Sequence, residues 1–342
     1  MGTREWMAAL AALVMGMGET FVLAPEPGTE LERRWKEELE LEIDTIEHTI
    51  GGTPVELPFD AIGFTVRRAF ELEDELEAVA GGRATSLVRA FGSSELGFGL
   101  ALDGEAVGEL EGQHGCDGTE LRFRWDEEEE VYARERIAGE LDDEALARLE
   151  PDLDLTALLP EGELDPGATF EPPLEALRAF FRAGGDLGWH PEHIRLTRSD
   201  VPPELLIAGA LGTLSELFTP EAELTGRLEG RFEGTDEDEG TARLVYALDL
   251  ELAADLGERF RAYMKEATEV SHALELTAEL EGELVLLWDV AGRRPRSARF
   301  EGEVAMEGEL TFPLHGVEGG VPQPFVGEYE LSGTVVVELT SE

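Results

Sequence analysis

Two histidines three residues apart, His190 and His193, are the residues whose spacing best fits metal chemistry. Neutral imidazoles are common ligands of zinc, and Asp186 or Glu192 could add a carboxylate to the pair. Pro191 lies between the histidines and disfavours a regular helix there. The alternative interpretation is therefore a capped loop between two helices. The sequence predicts no organic cofactor, and a divalent cation at His190 and His193 is its one metal hypothesis.

Other motifs with known chemistry fail or are missing. The acidic run 236–240 begins like a calcium loop, but the closing glutamate would fall at Ala247, so a solvated hairpin tip is the simpler interpretation. The sequence contains no phosphate-binding Gly-rich loop ending in Lys-Ser/Thr, no Gly-x-Ser-x-Gly, no Cys-x-x-Cys and no His-Glu-x-x-His. The one cysteine, Cys116, excludes a disulfide within the chain. These absences favour a non-enzymatic protein.

The charge balance excludes whole classes of partner. The 342 residues include 76 acidic and 27 basic side chains, a formal net charge of −49. A surface of this sign repels the phosphates of nucleic acids and anionic lipid headgroups, so we expect neither as a partner. The acidity is typical of either a GC-rich genome or a high-salt proteome. A hydrophobic fraction of 42% predicts a chain that folds around a core.

The first 24 residues resemble a secretory signal peptide. One early arginine is followed by an apolar run from Met7 to Gly18 and by a small residue, Ala24, at the expected cleavage point. Glu5 and Glu19 are atypical of such a signal, and an ordinary first helix is the alternative. We expect an extracytoplasmic protein, periplasmic or secreted, with no transmembrane span after maturation; without export it would be cytoplasmic.

Alternation of apolar and polar residues predicts long antiparallel strands with one buried face and one glutamate-covered face. In the last third the predicted strands are 222–232, 242–252, 274–288, 298–312 and 325–339. In the first third they are 31–45, 62–76, 96–110 and 121–125. Helical spacing is confined to the middle, where the predicted helices are 142–150, 171–183 and 204–218.

We therefore predict an α+β fold: a large curved antiparallel β-sheet, or two such sheets, of long amphipathic strands with a helical middle segment packed on the apolar face. The expected divisions are a signal peptide (1–24), an N-terminal β-rich region (25–135), a helical segment (136–218) and a C-terminal antiparallel meander (219–342). Residues 25–342 can form one domain. Alternation alone does not decide between one sheet and two.

Glycines recur on the apolar faces of the long strands. Such glycines mark either strong curvature or a close approach to the backbone. One interpretation is a coiled sheet wrapped around the helices, and the other is a concave half-barrel whose glycines line a cavity for an apolar or amphiphilic molecule. The glycines concerned are Gly226, Gly230, Gly282, Gly302, Gly308, Gly327 and Gly333.

The runs 286–292 and 299–304, with the closing run 329–339, are similar to the C-terminal sheets of uncharacterised, exported, β-rich bacterial proteins. The similarity covers about the last 120 residues and transfers no functional residue. Three functions remain open. The first is a binding or scaffold module, which in its sharpest form resembles the half-barrel of lipoprotein carriers. The second is a carboxylate- or metal-dependent hydrolase, and the third is a purely structural envelope protein.

Overall fold

A computed structural model describes residues 19–55, 61–151, 153–197, 203–264, 272–314 and 323–342. The N-terminal strands are β1 (Glu19–Thr20), β2 (Thr29–Ile50), β3 (Thr53–Pro54), β4 (Ile62–Ala80), β5 (Arg83–Leu102), β6 (Glu105–His114), β7 (Glu120–Asp126) and β8 (Val131–Ala138). The C-terminal elements are β12 (Glu223–Asp236), β13 (Thr241–Asp255), α5 (Gly257–Met264), β14 (Ala273–Asp289), β15 (Arg294–Leu314) and β16 (Gln323–Ser341).

The middle segment combines short helices with short strands. Its helices are α1 (Asp143–Ala147), α2 (Arg178–Phe181), α3 (Pro203–Leu211) and α4 (Leu214–Leu217), with 3-10 turns at Thr156–Leu158 and Leu174–Leu177. Its strands are β9 (Glu163–Leu164), β10 (Thr169–Phe170) and β11 (Trp189–Leu196). Strand β10 pairs with β12 and strand β11 pairs with β6, so this segment contacts both edges of the main sheet.

Among the described residues, fourteen strands form one antiparallel sheet. Its main path runs β10-β12-β13-β14-β15-β16-β2-β4-β5-β6-β11, with β7 and β8 continuing from β5. The junction of the two β-regions is the pairing of β16 with β2, in which Leu339 lies opposite Trp35 and Val335 lies opposite Leu39. The predicted fold class is confirmed, and the two β-regions prove to be one sheet.

The apolar face of the sheet wraps around the helical segment. Helix α3 contacts β5 and β6, whereas the 3-10 turn Leu174–Leu177 contacts β12 near the other edge. Phe181 of α2 is fully buried and packs its ring on Phe300 of β15, with ring centroids 5.1 Å apart. Trp35 Nε1 donates a hydrogen bond to the carbonyl of Phe180 at 3.0 Å. The buried apolar side chains form one contiguous core.

The structure corrects two predicted strand boundaries in the first third. The predicted strand 96–110 is a hairpin, because the chain turns at Asp103 and Gly104, which both have positive φ. The first half of β5, from Arg83, was missed because polar residues interrupt its alternation. The first error comes from a short turn that leaves the apolar pattern unbroken, and the second comes from a break in that pattern inside a strand.

Two predictions for the middle segment are also wrong. The helix predicted over 204–218 is two helices, because Thr213 adopts an extended conformation between α3 and α4. The segment around Pro191, interpreted as a loop, forms β11 on the edge of the sheet. Pro191 is tolerated there because the pairing with β6 is interrupted by a register shift between Pro191 and His193.

The end of the predicted signal peptide belongs to the fold. Residues 1–18 lie outside the described residues, but Phe21 and Leu23 are buried in the core. The ring of Phe21 meets that of Phe232 edge to face at 5.2 Å. Cleavage after Ala24 would remove both side chains, so the packing argues against that cleavage point.

Candidate functional site

An apolar cavity of about 300 Å³ lies between the sheet and helix α3, at the end of the sheet where β2 ends and β4 begins. Its walls consist almost entirely of aliphatic and aromatic side chains from β2, β4, β5, β14, β15 and β16, together with α3. Val55, just after β3, lines the cavity and is 40% exposed, which places it at the border with solvent. A volume of this size is at the lower end of the range for small-molecule sites, about 300 to 1,000 Å³.

Helix α3 forms one wall because a glycine lets it approach the sheet closely. The ring of Phe98, on β5, reaches to 2.2 Å from the point where a Cβ of Gly209 would stand. Any residue other than glycine would have a Cβ that collides with this ring. The absence of a side chain at Gly209 therefore allows the helix and the strand to pack this closely. Ala208 and Leu205 of the same helix line the cavity.

A bulge in β2 determines which side chains of that strand face the cavity. The register between β16 and β2 shifts between Glu330 and Leu331, where Thr45 and Ile43 are the successive partners on β2. Before the bulge the odd-numbered residues of β2 point inward, as Leu39 and Leu41 do; after it the inward side chains are even-numbered. This switch places His48 on the wall of the cavity.

His48 and Tyr329 are the two polar side chains among the described residues that line the cavity. His48 is only 9% exposed, and its ring stacks on Phe325 with centroids 5.7 Å apart. Its Nε2 atom has no hydrogen-bond partner. Burial lowers the pKa of His48 below its ordinary value of 6.5, so the ring is neutral at pH 7.

Tyr329 contributes its ring more than its hydroxyl. The ring lies over Gly308, 2.4 Å from where a Cβ at that position would stand. Gly308 is on β15 and lies directly opposite Tyr329 on the neighbouring strand β16. Burial raises the pKa of Tyr329 well above its ordinary value, so the phenol stays protonated. The cavity therefore carries no charged group on its described walls.

A buried polar centre lies beside the cavity, where the loop between α3 and α4 meets the sheet. Glu37 is fully buried and its Oε1 accepts a hydrogen bond from the backbone N–H of Leu214 at 2.8 Å. Arg68 Nη1 lies 3.8 Å from Glu37 Oε2 and donates to the hydroxyls of Thr213, at 3.1 Å, and Ser215. Burial raises the pKa of Glu37, and Arg68 opposes that change.

A second group of charges surrounds Asp186. Arg182 Nη2 lies 3.4 Å and Arg148 Nη1 lies 3.7 Å from Asp186 Oδ2, and Arg259 pairs with both Asp186 and Glu216. Burial opposes the ionisation of Asp186, but Arg259, Arg182 and Arg148 outweigh it and hold the pKa of that carboxyl below its ordinary range. These ion pairs connect α4 and α5 to the turn after α2.

Neither polar centre offers room for a substrate. The space between Arg68, Arg182, Asp186 and Glu216 is about 10 Å³, which is the size of a single water molecule. The charged side chains there are paired with one another or with backbone groups across elements. We conclude that they position the helical segment against the sheet, and that the apolar cavity is the candidate functional site.

The predicted metal ligands lie on the edge strand β11. His190 pairs through its backbone with Gln113 and His193 pairs with Glu111, on opposite sides of the register shift. The side chain of His193 is exposed, and that of His190 lies outside the described residues. No cluster of three metal-binding side chains occurs in the described part of the chain. The divalent-cation site at this pair stays a prediction.

The glycines named from the sequence fall into three groups. Gly327 lines the apolar cavity. Aromatic rings cover Gly230, Gly282, Gly302 and Gly308, where a Cβ would lie within 3 Å of the ring of Phe170, Phe300, Phe300 and Tyr329 respectively. Gly226 and Gly333 instead approach the neighbouring backbone, at Asp249 and Glu40. Most of these glycines thus let rings or strands come close, as the interpretation of a wrapped sheet requires.

Sequence reasoning missed His48. Ile46, His48 and Ile50 alternate like the residues of a buried strand face, which is the signal that could have identified it. The signal was hidden because the alternation in 31–45 predicts that odd-numbered residues face inward, which would place His48 on the outer face. Only a bulge in the strand allows odd-numbered residues before it and even-numbered residues after it to face the same side. His48 is one of six histidines in the sequence, and only His190 and His193 among them lie close together along the chain.

Comparisons with known proteins identify no relatives by sequence. No protein-family model matches the chain, and no curated protein matches it. Among solved structures, an outer-membrane channel from Pseudomonas putida F1 aligns at 10% identity with a TM-score of 0.18, covering 92% of this chain and 98% of that one. The translocator domain of autotransporter NalP from Neisseria meningitidis aligns at 8% identity with a TM-score of 0.15, covering 98% and 95%. These scores are too low to show a common fold.

The described helices are all short. None of those in the described ranges is long and apolar enough to cross a bilayer.

Proposed function

We propose that this chain is a non-enzymatic binding protein that holds an apolar or amphiphilic small molecule between its sheet and helix α3. The observation that carries the proposal is the cavity of about 300 Å³ with apolar walls. Dry apolar cavities take up apolar ligands, and about 150 Å³ is enough for benzene. The cavity also has the position between sheet and helices that the half-barrel carrier hypothesis requires.

The two alternative functions have less support. A purely structural role gives no reason for an unfilled apolar space, since voids in a core lower stability. A hydrolase needs a carboxylate or metal that a substrate can reach. The buried carboxylates Glu37, Asp74 and Asp186 are instead engaged with arginines or backbone groups at the junction of sheet and helices.

The test is the binding of an uncharged fluorescent apolar probe, N-phenyl-1-naphthylamine, to the full chain. We expect saturable binding at one site per chain, with a blue-shifted emission. Replacing Ala208, on the cavity wall, by phenylalanine fills part of the space, so Ala208→Phe should weaken binding at least tenfold. The matched control is Ala247→Phe on the exposed face of β13, which should bind as the wild type does.

Both variants are first compared with the wild type by circular dichroism and thermal unfolding. Absence of saturable binding to the wild type would contradict the proposed function. Equal binding by Ala208→Phe and the wild type would show that the probe occupies another part of the surface.

We also propose that the protein acts outside the cytoplasm, a proposal supported by the apolar run 7–18. Because Phe21 and Leu23 belong to the core, we expect the mature N-terminus to lie before Phe21. Native mass spectrometry of protein purified from its own host reports this terminus and any retained ligand together. An intact Met1 in that spectrum would contradict export.

A further inference from the structure

We propose that His48 is the hydrogen-bonding contact for the headgroup of the molecule in the cavity, and that this molecule is an uncharged single-chain amphiphile of the alcohol class. The inference deepens the proposed function and rests on it. His48 is then the residue that determines headgroup preference.

The position of His48 is the first argument. The residue lines the cavity, is 9% exposed, and has an Nε2 atom with no hydrogen-bond partner. Buried polar atoms in folded proteins are nearly always paired with protein groups, water or ligand. A donor or acceptor on the occupant of the cavity would complete the bonding of this nitrogen.

The packing around His48 is the second argument. Gly327 lies directly opposite His48 in the pairing of β16 with β2, and it also lines the cavity. A Cβ at Gly327 would stand 2.9 Å from the ring of Phe325, on which His48 stacks. The glycine therefore makes room for the ring of Phe325, and the stacked pair of Phe325 and His48 lies undisturbed at the wall of the cavity.

Charge is the third argument, and it defines the headgroup. The imidazole is neutral because it is buried, so it gives no positive charge to balance a carboxylate or phosphate headgroup. Glu47 and Glu328, the neighbours of His48 and Gly327 in the sequence, are paired on the outer, solvent-exposed face of the sheet and add no positive charge either. An anionic headgroup would therefore be buried without a counter-charge, whereas a hydroxyl can accept from or donate to a neutral imidazole nitrogen.

The other walls define the tail. Leu41, Ile62, Leu100, Met306 and Leu310 are buried apolar residues of four different strands that meet around the cavity. They offer dispersion contacts and no hydrogen bonds to a flexible hydrocarbon chain. A ligand with one polar end and one short alkyl chain therefore matches the distribution of polar atoms in the cavity.

The experiment measures displacement of N-phenyl-1-naphthylamine by 1-octanol, n-octane and octanoate at pH 7.5. For the wild type we expect the affinity order octanol, octane, octanoate. In His48→Phe, which retains an aromatic ring to stack on Phe325, the preference for octanol over octane should fall about 3- to 10-fold, as expected for one hydrogen bond. Gln113, an exposed polar residue of β6, provides the control variant Gln113→Phe, which should keep the wild-type preference.

A second readout needs no variant. In ¹⁵N-labelled wild-type protein, the imidazole Nε2 resonance of His48 should shift on addition of octanol and stay in place on addition of octane. This measurement keeps the proposal testable even where His48→Phe does not fold.

The outcomes separate the two proposals. Failure of octanol and octane alike to displace the probe from wild-type protein would end the proposed function, and this inference with it. Displacement by both, with an unchanged preference in His48→Phe and an unshifted Nε2 resonance, would overturn the role of His48 and leave apolar binding intact. Octanoate binding as tightly as octanol would overturn the assignment of an uncharged headgroup.

Discussion

Arg89 and Asp74 form a two-pronged ion pair in the interior, with Arg89 Nε 2.7 Å from Asp74 Oδ1 and Arg89 Nη2 2.8 Å from Asp74 Oδ2. Neither side chain is exposed to solvent. Arg33 Nε lies 3.0 Å from the same carboxylate, and Arg89 also donates to the carbonyls of Glu150 and Pro151. The group connects three strands of the sheet, β2, β4 and β5, to the chain that follows helix α1.

Removing one partner of this pair should be strongly destabilising. Arg89→Met leaves Asp74 buried with one guanidinium fewer, and we expect the free energy of unfolding to fall by about 3 to 5 kcal/mol. The matched control is Arg299→Met, whose exposed pair with Glu301 should contribute less than about 1 kcal/mol. Urea unfolding of both variants measures the difference. Similar losses in the two variants would show that Arg89 does not anchor the helical segment.

The junction of β16 with β2 depends on a glycine. A Cβ at Gly333 would stand 1.9 Å from the carbonyl oxygen of Glu40 on the neighbouring strand, so the strands must separate to admit even an alanine. We expect Gly333→Ala to lower the free energy of unfolding by about 1 to 3 kcal/mol. Gly97 in β5 has open space at the same point, and Gly97→Ala should leave stability unchanged or slightly raised. Denaturation of the two variants side by side tests this, and equal stabilities would contradict it.

His114 should make the protein less stable as the pH falls. Its Nδ1–H donates to the carbonyl of Gly188 at 2.7 Å, and burial, with a contribution from Arg68, lowers the pKa of His114 from 6.5 to about 3. Between these values the unfolded chain binds a proton that the folded protein does not, so stability is lost as the pH falls below 6.5. From pH 7 to pH 5 the expected loss from this residue is about 2 kcal/mol.

The measurement is the unfolding free energy of the wild type and of His114→Phe at several pH values between 5 and 7.5. Titration of the many carboxylates affects both proteins alike, so the difference between the two curves isolates His114. Parallel curves would show that the folded protein accepts this proton at its ordinary pKa.

Salt should stabilise the protein. The formal net charge is −49, and the outward faces of the long strands are lined by glutamates, so mutual repulsion opposes folding. Raising ionic strength from physiological values to 1 M shortens the Debye length from about 8 Å to about 3 Å. We expect Tm to rise with added NaCl, and to rise equally with tetramethylammonium chloride if screening is the cause. A flat or falling Tm would contradict this, and an effect of sodium alone would indicate a specific ion site instead.

Much of the architecture follows from the sequence because alternation is a local property. In β14, for example, the buried face is predicted by Leu276, Leu280 and Leu284, and the solvated face by the glutamates between them. The acidic outer surface and the helical character of the middle segment were likewise predictable. Turns such as Asp103-Gly104 were not, since a two-residue hairpin leaves the apolar pattern unbroken.

The candidate site was decided by contacts between residues far apart in the chain. Pairing of β16 with β2 made two β-regions one sheet, and it involves strands at opposite ends of the sequence. The bulge in β2 changed the inward-facing residues of that strand from odd-numbered to even-numbered, and so turned His48 inward. Helix α3 ends just before Thr213, where Arg68 and Glu37 bind the turn that follows. Period and composition determine which face of an element is buried. The partner strand, the register and the space left between sheet and helix depend on the packing of the whole chain, which no local pattern encodes.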